Sequence, residues 1–178
     1  PACVLGRGLK DAGYQVCIAT HDRFRSFVFD SGLEFAQIAG DYKQLLNSEA
    51  GLDTLEGKGG FRLISDDLLC QQLEDSLSAC KDSDLIIGFP LSFFGYHIAE
   101  ALNIRFLGMS YFPLVATQDF PFLQFGESKS GFFNRLNPLS YKLAEFLLWN
   151  GDRQVINSFR QKLGLSKMPY RGVAYRRD

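Results

Sequence analysis

The sequence predicts an α/β fold built on a parallel sheet, and three observations carry that prediction. Short, nearly continuous apolar runs at 14–19, 33–38, 85–87 and 103–110 alternate with segments whose apolar residues fall at helical spacing. Runs without polar alternation belong to strands covered on both faces, the rule in parallel sheets. Glycines stand where the intervening helices must stop, at Gly13 and Gly32, because a left-handed residue closes a helix at least steric cost when it has no Cβ.

Taken in order, residues 2–12 place Ala2, Leu5, Leu9 and Ala12 on one helical face before Gly13. The strand at 14–19 ends abruptly on Thr20, His21 and Asp22. Phe24, Phe27 and Val28 mark one face of a second helix, closed by "DSGLEF", and 33–38 is the next strand. From 40 to 60 the pattern is lost, and "EGKGG" reads as a surface loop. Leu69, Leu73, Leu77 and Cys80 line a long helix over roughly 62–82. An acidic turn, a strand at 85–87 and Gly88 follow. Phe94, Ile98, Ala101 and Leu102 define a further helix before the strand of "NIRFLGMS". Two more amphipathic helices are expected in "LSYKLAEFLLW" and "VINSFRQKL".

This repetition makes a Rossmann-like parallel sheet with helices on both faces. Without a linker or solenoid repeat, residues 1–178 are expected to form a single domain. The unit opens on a helix where such folds open on a strand, so the first and central strand is expected to lie outside these residues. Loss of that strand would leave ladder groups unpaired, each costing about 1–3 kcal/mol if buried.

Composition excludes several functions. Lys+Arg 19 against Asp+Glu 20 gives a net charge of -1, with one basic cluster at Arg171, Arg176 and Arg177, so no nucleic-acid partner is expected. No stretch approaches the roughly 20 apolar residues of a spanning helix, and no charged region precedes an apolar core at the N-terminus. A cytoplasmic chain, at most peripheral to a membrane, is expected. Cys3, Cys17, Cys70 and Cys80 show neither a CxxC pair nor metal-ligand spacing, so buried reduced thiols and no metal are expected. The aromatic content, 17 Phe and 7 Tyr, concentrates between Tyr111 and Phe133.

Two glycine-rich stretches fail as phosphate motifs. "GRGLKDAG" has its third glycine two positions late, and its first two glycines lie inside a helix. In "GLDTLEGKGG" five residues separate Gly51 from Gly57, and Lys58 is followed by glycine instead of Ser or Thr. His21 stands at the carboxyl end of a parallel strand, where ligands collect; it or Asp22 either caps the next helix or faces a ligand. His97, at helical spacing from Phe94 and Ala101, is either packed or ligand-facing. Neither histidine has an identifiable Ser or Cys partner, so no hydrolase triad is argued. "YFPLVATQDFPFLQF", with two prolines among large apolar residues, is no regular helix. It lines a greasy pocket, docks on another domain, touches a membrane, or covers its own core.

"LGRGLKDAGYQVCIATHDRFRSFVFDSGLEFAQIAGD", "DLIIGFPLSFFGYHIAEALNIRF" and "TQDFP" together resemble the N-terminal domain of the sterol 3-beta-glucosyltransferases and of related transferases that glycosylate antibiotic aglycones. These are two-domain GT-B proteins, and the resemblance spans roughly residues 1–121. Family members carry a segment like "GTRGDVQP" that aligns its last residue with Pro1. Its acidic residue, the general base on the acceptor hydroxyl, has no counterpart in these residues, so no catalytic residue is assigned.

The resemblance implies the acceptor-binding half of a nucleotide-sugar-dependent glycosyltransferase. It would transfer a hexose, glucose from UDP-glucose, to a sterol or other lipophilic acceptor. The acceptor-binding residues it implies are His21, Phe94, His97, Phe112, Leu114, Thr117, Phe120 and Phe122. The UDP-sugar donor is expected on a separate C-terminal domain with an "HHGGAGT"-like motif, no cofactor is expected, and the fragment alone is expected to be inactive. The alternative is a non-catalytic module that binds an apolar ligand or docks a partner carrying the donor site.

Overall fold

The computed structural model describes residues 1–41, 43, 47, 64–89, 94–110, 115–122 and 132–169. Helix α1 (Ala2–Asp11) leads into strand β1 (Cys17–Thr20), a 3-10 turn at Asp22–Phe24, helix α2 (Arg25–Asp30) and strand β2 (Glu34–Gln37). Helix α3 (Asp66–Cys80), β3 (Leu85–Gly88), α4 (Gly95–Leu102) and β4 (Arg105–Gly108) follow. A 3-10 segment, Phe132–Leu136, then enters the long helix α5 (Asn137–Lys162). The expected alternation of parallel strands and helices is present. The loop expected at 56–60 lies outside the described residues.

The helix ends follow from local chemistry. After α1, the Tyr14 amide donates to the Leu9 carbonyl at 3.1 Å and the Gly13 amide to Lys10 at 2.9 Å, with Gly13 at φ 94°. The same double closure ends α2 through Gly32, at φ 72°, and α5 through Gly164, at φ 75°. Asn103 takes that role after α4, at φ 54°. Helix α3 starts on Ser65, whose Oγ accepts from the Leu68 amide, with Asp66 and Asp67 in the first turn.

Among the described residues the strands form two parallel pairs. Cys17 stands opposite Glu34 and Thr20 opposite Gln37; Leu85 stands opposite Arg105 and Gly88 opposite Gly108. Among these residues β1 pairs with β2 and β3 with β4, in two separate two-stranded sheets. The strands were expected to be covered on both faces, yet Gly88 is the one strand residue that is buried; the others are half-buried or exposed. A two-stranded ribbon has an open edge on every strand, so its faces gain less cover than those of a continuous sheet.

The main core lies where three helices meet over β3. Leu69 and Leu73 of α3, Ile98 of α4 and Val155 and Phe159 of α5 form one cluster, with Leu77, Cys80, Ile86, Phe94 and Leu102 partly buried against it. Close backbone approach explains two glycines. A Cβ on Gly6 would stand 2.8 Å from Leu33 Cδ1, and one on Gly95 3.0 Å from Phe106 Cε2. Gly6 of the "GRG" sequence therefore serves helix packing.

Three further expectations are corrected. Val28 of α2 is buried, but Phe24 and Phe27 are exposed, Phe27 at 61%; the six-residue helix turns only a narrow face to β2. The two final helices are one, continuous through Gly151. A mid-helix glycine costs about 1 kcal/mol, which packing of α5 against the core outweighs. The cysteines are free, but Cys17 and Cys70 are exposed and Cys3 and Cys80 half-buried, because β1 lacks full cover and Cys70 lies on the outer side of α3.

Burial, and then the Glu34 carboxylate, raise the Cys17 pKa above its ordinary value, although the residue as a whole remains exposed. Burial, and then Cys17, raise that of Cys80. Both thiols hold less thiolate at neutral pH than an ordinary thiol, and thiolate is the nucleophile. Iodoacetamide at neutral pH is expected to alkylate both more slowly than a cysteine in an unstructured peptide, and faster as pH rises. Glu34→Gln should accelerate Cys17, as read by mass spectrometry; an unchanged rate would exclude the carboxylate as a cause.

Candidate functional site

Parallel pairing brings the carboxyl ends of each pair to one edge, which is where open α/β folds hold ligands. At β1 and β2 that edge is tightly organised. The Ile38 amide donates to the Thr20 carbonyl at 2.9 Å. His21 is buried and its Nδ1 lies 3.1 Å from the Ile38 carbonyl oxygen; since a carbonyl only accepts, Nδ1 carries the proton. His21 occupies the N-cap position of the 3-10 turn without a side-chain capping bond, so its imidazole ties two strand ends together and does not cap.

The following residues are fastened to the end of β2. Arg25 Nε donates to Asp22 at 2.7 Å and Arg25 Nη2 to Gln37 Oε1 at 3.0 Å, with the guanidinium 4.5 Å from the Phe35 ring centre. Arg23 bonds Asp41 at 3.2 Å. These pairs are solvated and contribute little energy individually; their effect is to set the direction of the chain. Helix α3 holds the same edge from behind: Gln72 Nε2 donates to the Ala39 carbonyl at 2.9 Å and the Ala39 amide donates to Asp75 Oδ2 at 2.8 Å.

Phe94 and His97 share the start of α4, which follows β3 and precedes β4. Phe94 packs against the core cluster. His97 is buried between rings, 5.5 Å from Tyr96 and 6.5 Å from Trp149 by ring centres. Arg160 Nη1 lies 2.9 Å from His97 Nδ1 and 2.7 Å from Glu100 Oε2, and Arg160 Nε donates to the Ser166 carbonyl at 2.8 Å. A guanidinium only donates, so His97 Nδ1 is the acceptor and the ring is neutral with its proton on Nε2. Nδ1 thus serves in opposite senses in the two histidines, as a donor in His21 and as an acceptor in His97. Of the open alternatives for His97, the packed one describes this geometry.

The third group lies on the segment leading to α5. Thr117 Oγ1 bonds Asp119 Oδ2 at 3.0 Å and accepts from the Asp119 amide at 3.2 Å. Asn137 Nδ2 donates to the Gln118 carbonyl at 2.7 Å, and the Phe122 amide to Ser140 Oγ at 2.8 Å. The Phe122 ring stands edge-on to Tyr141, 5.6 Å between centres, while Phe120 is exposed. Phe112 and Leu114 lie outside the described residues. The six of the eight expected residues that are described therefore fall at three places: a strand end, a helix start and a segment fastened to α5.

Sequence reasoning missed Arg160 and Gln72. Each lies four or three residues from an apolar core position on the same helical face, Ile156 and Leu69, and a polar residue on such a face is the signal that finds them. Among the described residues no group of His, Cys, Asp or Glu is arranged to hold a metal ion. A cleft of about 490 Å³ lined by Arg153, Asn157, Gln161, Lys167 and Met168 lies on the later turns of α5 and contains none of the expected residues.

These strand-helix units are similar to the crystal structure of the Streptomyces sp. SF2575 glycosyltransferase SsfS6, with a TM-score of 0.51 at 18% identity, covering 95% of this chain and 43% of that one. The fold is thus of the GT-B glycosyltransferase kind. Residues 1–121 match the glycosyltransferase family 28 N-terminal domain, and the chain belongs to that family. It is 32% identical to the sterol 3-beta-glucosyltransferases of Pichia angusta and Debaryomyces hansenii and 33% identical to that of Sclerotinia sclerotiorum, over 94% of its own length. It spans 14%, 11% and 12% of those proteins respectively.

Arg160→Met should lower the free energy of unfolding by about 3 kcal/mol, by leaving Glu100 and the Ser166 carbonyl without the guanidinium. Lysine should restore only part, since one ammonium cannot reproduce a planar fork. Urea denaturation checks both variants; equal stability of all three proteins would remove the network from the account of the fold.

Proposed function

We propose that this chain is the acceptor-binding half of a glycosyltransferase that moves glucose from UDP-glucose to the hydroxyl of a sterol or another lipophilic alcohol. The observation that carries the reading is the 32–33% identity to sterol 3-beta-glucosyltransferases over 94% of the chain. The chemistry requires a base within hydrogen-bond reach of the acceptor hydroxyl and a wall that excludes competing water. In this reading the segment with Phe120 and Phe122 supplies apolar wall, joined by Phe112 and Leu114, and Thr117 holds its turn. His21 orients the acceptor or meets a second domain at the strand-end edge. Phe94 and His97, both turned inward, act as positioning residues. The nucleotide sugar is held by a donor domain of the intact protein, and the base is assigned to none of these residues.

Incubating the intact protein with radiolabelled UDP-glucose and a sterol is expected to give a labelled steryl glucoside. No product with any lipophilic alcohol would leave the non-catalytic binding module as the reading.

Phe120→Ala should raise the acceptor KM roughly tenfold, the effect of losing an aromatic contact of about 1.4 kcal/mol, with donor KM unchanged. An unaltered acceptor KM would return this residue to a purely structural role.

A further inference from the structure

We propose that the cleft on the later turns of α5 is a binding site for a phosphorylated monosaccharide. Arg153, Asn157 and Gln161 stand four residues apart, so their side chains make one row along the helix. The row lies on the side of α5 away from Val155 and Phe159, which enter the core. Facing it is the segment that follows the helix. Gly164, at φ 75°, turns the chain, and two bonds then pin it beside α5. Arg160 Nε donates to the Ser166 carbonyl at 2.8 Å, and the Met168 amide donates to Asn157 Oδ1 at 2.8 Å. Lys167 stands between the two pins. A cleft of about 490 Å³ is left between the helix row and this segment, with the buried Met168 in its lining.

Charge and hydrogen-bonding chemistry select the ligand. The described residues that line the cleft include two cations, Arg153 and Lys167, and no carboxylate. Lys162, outside the cleft, pairs with Glu74 at 3.6 Å, whereas Lys167 makes no ion pair among the described residues. An anion is therefore the favoured occupant, and a guanidinium with an ammonium at one site matches the several oxygens of a phosphate. Because Asn157 Oδ1 accepts from a backbone amide, its Nδ2 is left to donate to a ligand. Gln161 and Ser158, also in the lining, both donate and accept, as sugar hydroxyls do. The volume falls in the range of small-molecule sites and far exceeds the roughly 30 Å³ share of one water, so a bare phosphate would leave most of it empty. Met168 offers an apolar surface to the carbon face of a sugar ring. The inference does not rest on the acceptor reading, since the cleft contains none of the acceptor residues.

The test is isothermal titration of the intact protein with glucose 6-phosphate, glucose 1-phosphate, inorganic phosphate and glucose. A sugar phosphate is expected to bind at least about tenfold more tightly than inorganic phosphate or glucose, and more weakly as salt rises. Lys167→Gln should weaken that binding roughly tenfold. Gln161→Ala should weaken it about fivefold and leave the binding of inorganic phosphate unchanged, since it removes only a partner of the hydroxyls. Both positions are exposed, and an unchanged thermal melt confirms that the variants fold. An excess of UDP-glucose should leave the binding in place. Absence of binding by both sugar phosphates, or equal binding by the parent and either variant, overturns the proposal. So does inorganic phosphate that binds as tightly as the sugar phosphates, which would reduce the cleft to a simple anion site. Displacement by UDP-glucose would move the ligand to the donor-binding part of the protein and also overturns it. Formation of a steryl glucoside, measured separately, reports on the glycosyl-transfer reading alone.

Discussion

A single buried guanidinium fixes how the last helix is attached. Arg160 is fully buried and its donors reach His97, Glu100 and the chain turn at Ser166. A cation in that position is tolerable only because a carboxylate, a neutral imidazole and a carbonyl surround it. Among the described residues Nη2 finds no partner, and the apolar cluster that includes Val155 and Phe159 lies beside it on the same helix. Breaking the network would loosen α5 from α4, and with α5 everything that α5 carries.

Helix α5 joins two parts of the structure. Its last turns enter the core through Val155 and Phe159. Its first turns hold the segment at 118–122 through Asn137, Ser140 and Tyr141. The helix is thus a rigid bar, anchored at one end and presenting an aromatic segment at the other. Gly151 in its middle would mark a break by propensity alone, but core contacts on its C-terminal side hold the helix continuous.

The strand-end edge is built by a different device. Two-stranded ribbons are marginal on their own, and side chains from outside reinforce the first one: His21 joins the ends of β1 and β2, while Gln72 and Asp75 of α3 grip Ala39 from behind. The amide, carboxylate and imidazole fix backbone geometry where irregular chain begins. Polar residues closing this apolar strand therefore have a structural use before any ligand arrives, which answers why "CIAT" gives way to "HD" so sharply.

The sequence by itself determined most of the element order and several helix ends, because those signals act within a few residues: a left-handed glycine at Gly13 or Gly32, leucines at helical spacing in α3. Family resemblance was legible for the same reason, being carried by short strand-to-helix segments. Local spacing could not say which of two apolar sides would find a partner, so Phe24 and Phe27 emerged exposed, as did Leu139 and Leu143 of α5. Nor could it show that the strands would stand in two half-covered pairs. The alliance of His97 with Arg160, 63 residues apart, was decided only by the tertiary structure, since the free energy of a buried charge depends on which distant groups surround it.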